Sequence, residues 1–99
     1  MELLEKIKEL KKVLEKEGFI INAIFGSFAA GEKNFHDIDL LYSLNRDFIQ
    51  KYRGFIAFKK LEEIRSFLSQ ELGYKIDLAP MNNLSTSAKK HIFKDIIYV

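Results

Sequence analysis

Two aspartates separated by one residue open an apolar stretch near the middle of the chain. Asp37 and Asp39 alternate there with Ile38 and Leu40. In a β-strand, successive side chains point to opposite faces of the sheet, so the two carboxylates would share one face and the two apolar side chains the other. Carboxylates held so close together repel each other and contribute nothing to a core. Their oxygens are, however, the ligands that Mg²⁺ prefers, and we therefore interpret this pair as part of a metal site.

The tripeptide Ile-Asp-Leu occurs a second time at residues 76–78, after a stretch with helical periodicity. Two strands joined by a crossover helix run parallel. If they are neighbours, about 4.8 Å apart, Asp77 would lie beside Asp39, with Asp37 on the same face. Two Mg²⁺ ions about 4 Å apart in such a cluster stabilise the attacking and leaving oxygens of phosphoryl or nucleotidyl transfer. We predict that Asp37 and Asp39 bind the metal that carries a triphosphate, and that Asp77 and Asp39 bind the metal that activates the incoming hydroxyl.

The dipeptide Gly26-Ser27 follows an apolar run and precedes the acidic motif. A turn of this kind presents backbone N–H groups and a hydroxyl to a phosphate. Gly26 and Ser27 are therefore predicted to bind the outer phosphates of a nucleotide. Together with the carboxylates, they predict a site for a nucleoside triphosphate and its metal ions.

The elements that would position these residues alternate between helices and strands. We predict helices over residues 2–17 and 55–72, ended by Gly18 and Gly73, strands over residues 19–25, 37–44 and 74–79, and a last helix capped by Ser85 or Ser87. The last helix would carry Ile92, Phe93, Ile96 and Ile97, while residues 26–31 and 45–47 would form turns, the first with room for one helical turn. This alternation predicts a single α/β domain over residues 1–99.

Composition limits the possible classes of protein. The chain has 99 residues, of which 47% are apolar, a formal net charge of +2 and no cysteine. These values allow a small core, exclude disulfides and cysteine-ligated zinc, and fit a reducing compartment. The sequence contains neither a secretory signal nor the run of about 20 apolar residues that a membrane span needs. We expect a soluble cytoplasmic protein for which nucleic acid is not a direct ligand.

Taken together, four motifs resemble the signature of the DNA polymerase beta-like nucleotidyltransferase superfamily: Gly26-Ser27, Gly31-Glu32, Asp37-Ile38-Asp39-Leu40 and Ile76-Asp77-Leu78. The chain is most similar to the minimal nucleotidyltransferase (MNT) branch, in which the domain stands alone. The resemblance implies a palm-like α/β fold with a small mixed β-sheet and helices packed on it. It also implies two Mg²⁺ ions, and transfer of AMP or a related group from a nucleoside triphosphate such as ATP. Many members of this branch are antitoxins of HEPN-domain ribonuclease toxins, and some adenylylate a tyrosine of the toxin.

Two positions depart from the pattern of that family. Ala30 stands where an arginine is usual, and His36 stands where a serine is usual. Loss of the arginine would weaken triphosphate binding or the support of the loop, and Lys33 is a candidate to replace its charge. We interpret His36 as a loop residue rather than a general base. His91, which lies among lysines near the end of the chain, is interpreted as a surface residue.

The residues leave several functions open. The leading hypothesis is a metal-dependent nucleotidyltransferase that acts on a partner protein as the antitoxin of a HEPN/MNT pair. The alternative, which Ala30 favours, is a binding-only antitoxin or scaffold module with a vestigial site. A small-molecule nucleotidyltransferase ranks third, because the chain has no lobe for such a substrate.

The aromatic-rich region consists of Phe48, Tyr52, Phe55 and Phe58. It is expected to serve partly the core and partly a contact with another protein chain, in a homo- or hetero-oligomer.

Overall fold

The structure, a computed structural model, describes residues 2–82 and 84–99 as a series of helices and short strands. In chain order they are α1 (Glu2–Glu15), β1 (Phe19–Phe25), α2 (Gly26–Ala29), β2 (Asp37–Leu44), α3 (Arg46–Lys51), α4 (Phe55–Leu72), β3 (Lys75–Pro80), α5 (Thr86–Ile92) and β4 (Ile97–Tyr98). The predicted bounds of β1, β2 and α4 are confirmed to the residue.

The four strands form one mixed sheet in the order β3-β2-β1-β4. β1 runs antiparallel to both β2 and β4, whereas β2 and β3 are parallel neighbours joined by a crossover that contains α4. The predicted parallel pair and the predicted fold class, a mixed sheet with helices packed on it, are both confirmed. Because β3 lies at the edge of the sheet, Pro80 can end it at little cost in ladder hydrogen bonds.

The main core lies between one face of the sheet and the helices α1 and α4. Its largest fully buried side chains are Phe19, Phe48, Ile7, Ile21, Ile24, Ile38, Leu40, Leu68 and Ile76. A second, smaller cluster covers the opposite face, where Ile92 of α5 packs with Ala23 and Leu41. Since side chains alternate along β2, Asp39 shares the α5 face with Leu41 rather than the face of the main core.

A β-bulge in β1 adjusts which side chains reach each face. The register with β2 shifts between Ile21 and Ala23, so that Asn22 has no partner on β2. As a result Ile21 and Ile24 both belong to the main core, while Ala23 faces α5. The Asn22 side-chain amide donates a hydrogen bond to Ser43 Oγ at 3.1 Å, which satisfies a polar group at the irregularity.

The predicted last helix is wrong in its second half. α5 ends at Ile92, and residues 97–98 form β4 instead of a further helical turn. The spacing of the isoleucines suits a helix, but the outer edge of β1 offers backbone hydrogen-bonding groups that a helix would leave unpaired. Pairing of Ile97 with Ile24 and of Tyr98 with Ala23 uses that edge, and β-branched and aromatic side chains suit a strand.

Residues 45–47, predicted as a turn, instead begin α3. Asn45 Oδ1 accepts a hydrogen bond from the backbone N–H of Phe48 at 3.1 Å and so caps the helix. Phe48 is fully buried, which ties this short helix to the main core. α1 ends at Glu15, two residues before the predicted end.

None of the helices in the described residues combines the length and the apolar character of a membrane span.

Candidate active site

The register of the parallel strands brings the predicted carboxylates together. Asp39 on β2 is the direct partner of Asp77 on β3, and the flanking pairs are Ile38 with Ile76 and Leu40 with Leu78. Ile38, Leu40 and Ile76 are buried in the main core, so the two aspartates face the opposite side. Asp37 lies two residues before Asp39 and therefore on the same face. The repeated Ile-Asp-Leu motif thus places its two aspartates side by side, as predicted.

Asp39 is the electrostatic centre of this group. Partial burial raises the pKa of its carboxyl above the usual 3.8, and repulsion from Asp77 and then from Asp37 raises it further. A hydrogen bond between the carboxyls of Asp39 and Asp77 acts in the same direction, while the nearby His91 partly opposes it. Asp37 and Asp77 thus both lie close enough to Asp39 to raise the pKa of its carboxyl.

Gly26 allows the chain to pass close to Asp39. Phe25, the last residue of β1, is paired with Asp39, and Gly26 then turns the backbone with a φ of +78°. A Cβ at this position would overlap Asp39 Oδ2, and side chains other than glycine rarely adopt such a φ. Only glycine therefore satisfies both requirements, and Ser27 follows it directly in α2.

A cavity of about 380 Å³ opens at this bend, within the size range of small-molecule sites. Its lining comprises Gly26, Ser27, Ala30, Glu32, Asp39, His91, Lys94 and Asp95. Two other clefts, of about 320 and 340 Å³, are lined mainly by apolar side chains and contain none of the predicted site residues. The cavity beside Asp39 therefore differs from these two clefts in that it contains predicted site residues.

The end of α5 and the turn after it form a wall of the cavity that was not predicted from the sequence. His91, interpreted there as a surface residue, is exposed as expected but also lines the cavity with Lys94 and Asp95. Its place depends on β4, which returns the chain to β1 beside Gly26. A strand prediction for residues 97–98 would have placed residues 93–96 in a turn beside β1, whereas a continued helix gives no such turn.

Not all residues singled out in the sequence line this cavity. Asp37 and Asp77 are near Asp39 on the sheet but are not among the described residues that line the cavity. His36 and Lys33 are exposed in the loop before β2, and neither lines the cavity. Ala30 does line it, without a charge. Lys33 is thus poorly placed to supply a positive charge at this cavity.

The carboxylates fit a divalent cation by their chemistry. Three acidic side chains on one face, with the pKa of Asp39 raised by the other two, form the oxygen donor set whose mutual repulsion a cation relieves. In the part of the chain that the structure describes, no three His, Asp or Glu side chains are already arranged at metal-binding positions.

The sequence matches known proteins over its full length. Residues 1–99 match the family described as nucleotidyltransferase domain. A Methanocaldococcus jannaschii protein provisionally named a protein adenylyltransferase is 37% identical over 106 aligned residues. This alignment covers 100% of both chains. The protein adenylyltransferase MntA of Thermococcus cleftensis is 30% identical over 90 residues, which cover 90% of this chain and 83% of that protein.

Solved structures share the fold at lower identity. A chain from a toxin–antitoxin complex solved with AMP-PNP superposes with a TM-score of 0.65 at 21% identity, covering 95% of this chain and 69% of that one. A protein provisionally described as a minimal nucleotidyltransferase gives a TM-score of 0.63 at 20% identity, covering 97% of this chain and 95% of that one. A complex of a tri-AMPylated Shewanella oneidensis HEPN toxin with its MNT antitoxin gives 0.61 at 20% identity, covering 99% and 71%. At these identities the likeness establishes the fold.

Proposed function

The chain belongs to the nucleotidyltransferase domain family, and we propose that it transfers AMP from ATP to a hydroxyl of a partner protein. The observation that carries this proposal is the pairing of Asp39 with Asp77 on neighbouring strands. Asp39 also lines, with Gly26 and Ser27, a cavity large enough for a small-molecule ligand. The choice of AMP and of a protein acceptor is supported by the relatives, which are named as protein adenylyltransferases at 30–37% identity.

In this proposal the acceptor oxygen attacks the α-phosphorus of ATP. A new P–O bond forms, the bond from the α-phosphorus to the bridging oxygen breaks, and pyrophosphate leaves with both bonding electrons. The acceptor hydroxyl gives its proton to solvent water. Gly26 keeps the backbone close to Asp39, and Ser27 offers its hydroxyl to the outer phosphates. The same cavity holds the triphosphate in line with the acceptor, which is the main protein contribution to such a transfer.

Asp37, Asp39 and Asp77 are proposed to hold Mg²⁺. Asp37 and Asp39 would bind the ion that accompanies the triphosphate, while Asp77, with Asp39 shared, would bind the ion on the acceptor side. Bound there, Mg²⁺ supplies charge stabilisation for the attacking and leaving oxygens. The oxygen-only donor set favours Mg²⁺ over metals that prefer nitrogen or sulfur ligands.

We further propose that the chain is one domain, acts in the cytoplasm, and is the antitoxin of a HEPN toxin, which would be the acceptor. Structures of this fold include a HEPN toxin–MNT antitoxin complex in which the toxin is AMPylated, and that likeness is what supports the pairing. The described chain forms one sheet with helices on it and no separate lobe to hold an acceptor. A partner protein would have to bring the acceptor hydroxyl to the cavity.

The test is a transfer assay with the protein encoded beside this chain in its genome. The two proteins are incubated with Mg²⁺ and ATP labelled either at the α- or at the γ-phosphate. AMP transfer retains the α-label on the partner and releases the γ-label, whereas phosphoryl transfer gives the opposite result. Neither label on the partner, despite a stable complex, would establish the binding-only alternative. The uncharged Ala30 in the cavity wall is the feature that favours that alternative.

A further inference from the structure

The cavity beside Asp39 has one wall whose role is still unassigned. It comes from the end of α5 and the turn after it, and consists of His91, Lys94 and Asp95. The opposite wall, from α2 and the residues after it, carries Ser27, the uncharged Ala30 and the acidic Glu32. Of the described residues that line the cavity, Lys94 is the one with a fixed positive charge.

Two anchors hold this wall against the site. On one side, Ile92 is 5% exposed and packs with Ala23 and Leu41, the neighbours of Phe25 and Asp39 on the same face. On the other side, Ile97 pairs with Ile24 in the antiparallel register of β1 and β4. Lys94 lies in the short turn between these anchors, so its backbone position is fixed by packing on both sides.

The pairing of β1 with β4 brings this turn close to the bend. Tyr98 pairs with Ala23 and Ile97 with Ile24. Because the strands are antiparallel, the end of β1 at Phe25 and the start of β4 at Ile97 lie at the same edge of the pair. Lys94, before β4, and Ser27, after β1, both line the cavity.

We propose that Lys94 binds the outer phosphates of the nucleoside triphosphate, together with Ser27. This inference rests on the proposed function, because it assigns a residue of this chain to the triphosphate. The cavity lining otherwise carries the carboxylates of Asp39, Glu32 and Asp95, which repel a phosphate. An ammonium group on the wall opposite Ala30 offsets that repulsion and provides up to three hydrogen-bond donors. His91, in the last turn of α5, adds a ring N–H beside it.

The test compares nucleotide affinity in single variants. Calorimetry measures binding of AMP-PNP and of AMP, each with Mg²⁺, to the wild-type chain, Lys94→Gln, Lys94→Arg and two controls. Lys90→Gln removes a positive charge from the exposed side of α5, and Lys33→Gln removes one from the loop before β2. We expect Lys94→Gln to bind AMP-PNP about tenfold more weakly, the usual effect of losing one charge-assisted hydrogen bond. Lys94→Arg and both controls should stay within about twofold of the wild type.

AMP separates phosphate binding from a merely structural effect, because it lacks the outer phosphates. Lys94→Gln should leave the affinity for AMP nearly unchanged. Equal losses for AMP and AMP-PNP, or no loss for either, would overturn the role of Lys94 while leaving the proposed function intact. A wild-type chain that binds neither nucleotide would overturn both.

Discussion

The position of Asp39 serves the site but lowers the stability of the folded chain. A carboxyl whose pKa is raised on folding binds its proton more tightly in the folded chain, so stability falls as the pH rises above the ordinary value of 3.8. Asp39→Asn removes the charge, and we expect the free energy of unfolding at pH 7, with EDTA present, to rise by about 0.5 kcal/mol. The gain should shrink towards pH 4, where the raised pKa leaves more of the wild-type carboxyl protonated than in an ordinary aspartate. Urea unfolding at the two pH values measures it, and a less stable variant at pH 7 would contradict the electrostatic assignment.

The same substitution should abolish most of the catalysis. Replacing a charged oxygen ligand by a neutral amide removes stabilisation of the transition state, so we expect Asp39→Asn to transfer AMP at least about a hundredfold more slowly. The initial rate of label transfer to the partner protein measures this effect. An unchanged metal-dependent rate in a variant that is folded and more stable would remove Asp39 from the mechanism.

Two glycines with similar backbone angles allow a matched comparison. Gly26 and Gly31 have φ values of +78° and +81°, but an added Cβ meets Asp39 at Gly26 and nothing within 4 Å at Gly31. Both Gly→Ala variants should lose about 1 kcal/mol of stability through backbone strain. Only Gly26→Ala should also slow transfer, by about a hundredfold, because it displaces the carboxylate. Thermal unfolding and transfer rates measured in parallel test this, and equal rates for the two variants would contradict the close approach.

The residue patterns predicted the acidic group well and its surroundings poorly. Asp39 and Asp77 could be paired from sequence because the same tripeptide recurs on two strands joined by a crossover. Lys94 and Asp95 could not be placed, because their distance from Gly26 depends on the pairing of β4 with β1, a contact far apart in sequence. Lys33 is nearer to Gly26 along the chain and was a candidate to supply a positive charge there, but it does not line the cavity.

At the scale of elements, α5 is expected to matter for nucleotide binding, whereas α3 is expected to affect stability but not nucleotide binding. Both helices have a side-chain N-cap: Ser85 Oγ accepts from the N–H of Ala88, and Asn45 Oδ1 accepts from the N–H of Phe48, each at 3.1 Å. Ser85→Ala and Asn45→Ala should each cost about 1 kcal/mol. Only Ser85→Ala should weaken AMP-PNP binding, since α5 carries the wall of His91 and Lys94. Chemical unfolding combined with calorimetry checks this, and a larger loss of affinity in Asn45→Ala would contradict it.

The longer elements were predictable because one strong pattern determined each of them. α4 has apolar residues at steps of three or four over its length, and Gly73, with a φ of +77°, ends it in the left-handed conformation. β1 and β2 are short apolar runs between glycines or polar residues. The short elements failed because they depend on distant partners: α3 on burial of Phe48, and β4 on the free edge of β1.

At the scale of the whole molecule, an exposed apolar patch lies far from the carboxylates. It consists of Ile49, Phe55, Ile56 and Phe58, which are 57–71% exposed. Ile49 lines a cleft with Leu44, which lies five residues along β2 from Asp39, or about 17 Å in an extended strand. Lys59 lies 5.3 Å from the centre of the Phe55 ring. We expect the partner protein to contact this patch, as the sequence indicated for Phe55 and Phe58, at the opposite end of β2 from the cavity.

Substitutions in the patch should separate docking from nucleotide binding. Phe55→Ser combined with Phe58→Ser should weaken the complex with the partner by at least about tenfold, since large buried aromatic contacts dominate protein interfaces. Affinity for AMP-PNP should not change. Val13→Ser, at a residue 50% exposed on α1, is the matched control and should leave both affinities as they are. Unchanged partner affinity in the double variant would remove the patch from the interface.

We propose that the carboxylates of Asp37, Asp39 and Asp77 together hold divalent cations below the Gly26 bend. A titration with Mn²⁺ in the presence of AMP-PNP tests this directly. Electron paramagnetic resonance measures the free ion, and a control with nucleotide alone gives the Mn²⁺ that AMP-PNP binds by itself. We expect tight binding by the wild-type chain and at least about tenfold weaker binding after Asp39→Asn, with smaller losses after Asp37→Asn and Asp77→Asn. Equal Mn²⁺ binding in the wild type and all three variants would show that these carboxylates do not hold the ions.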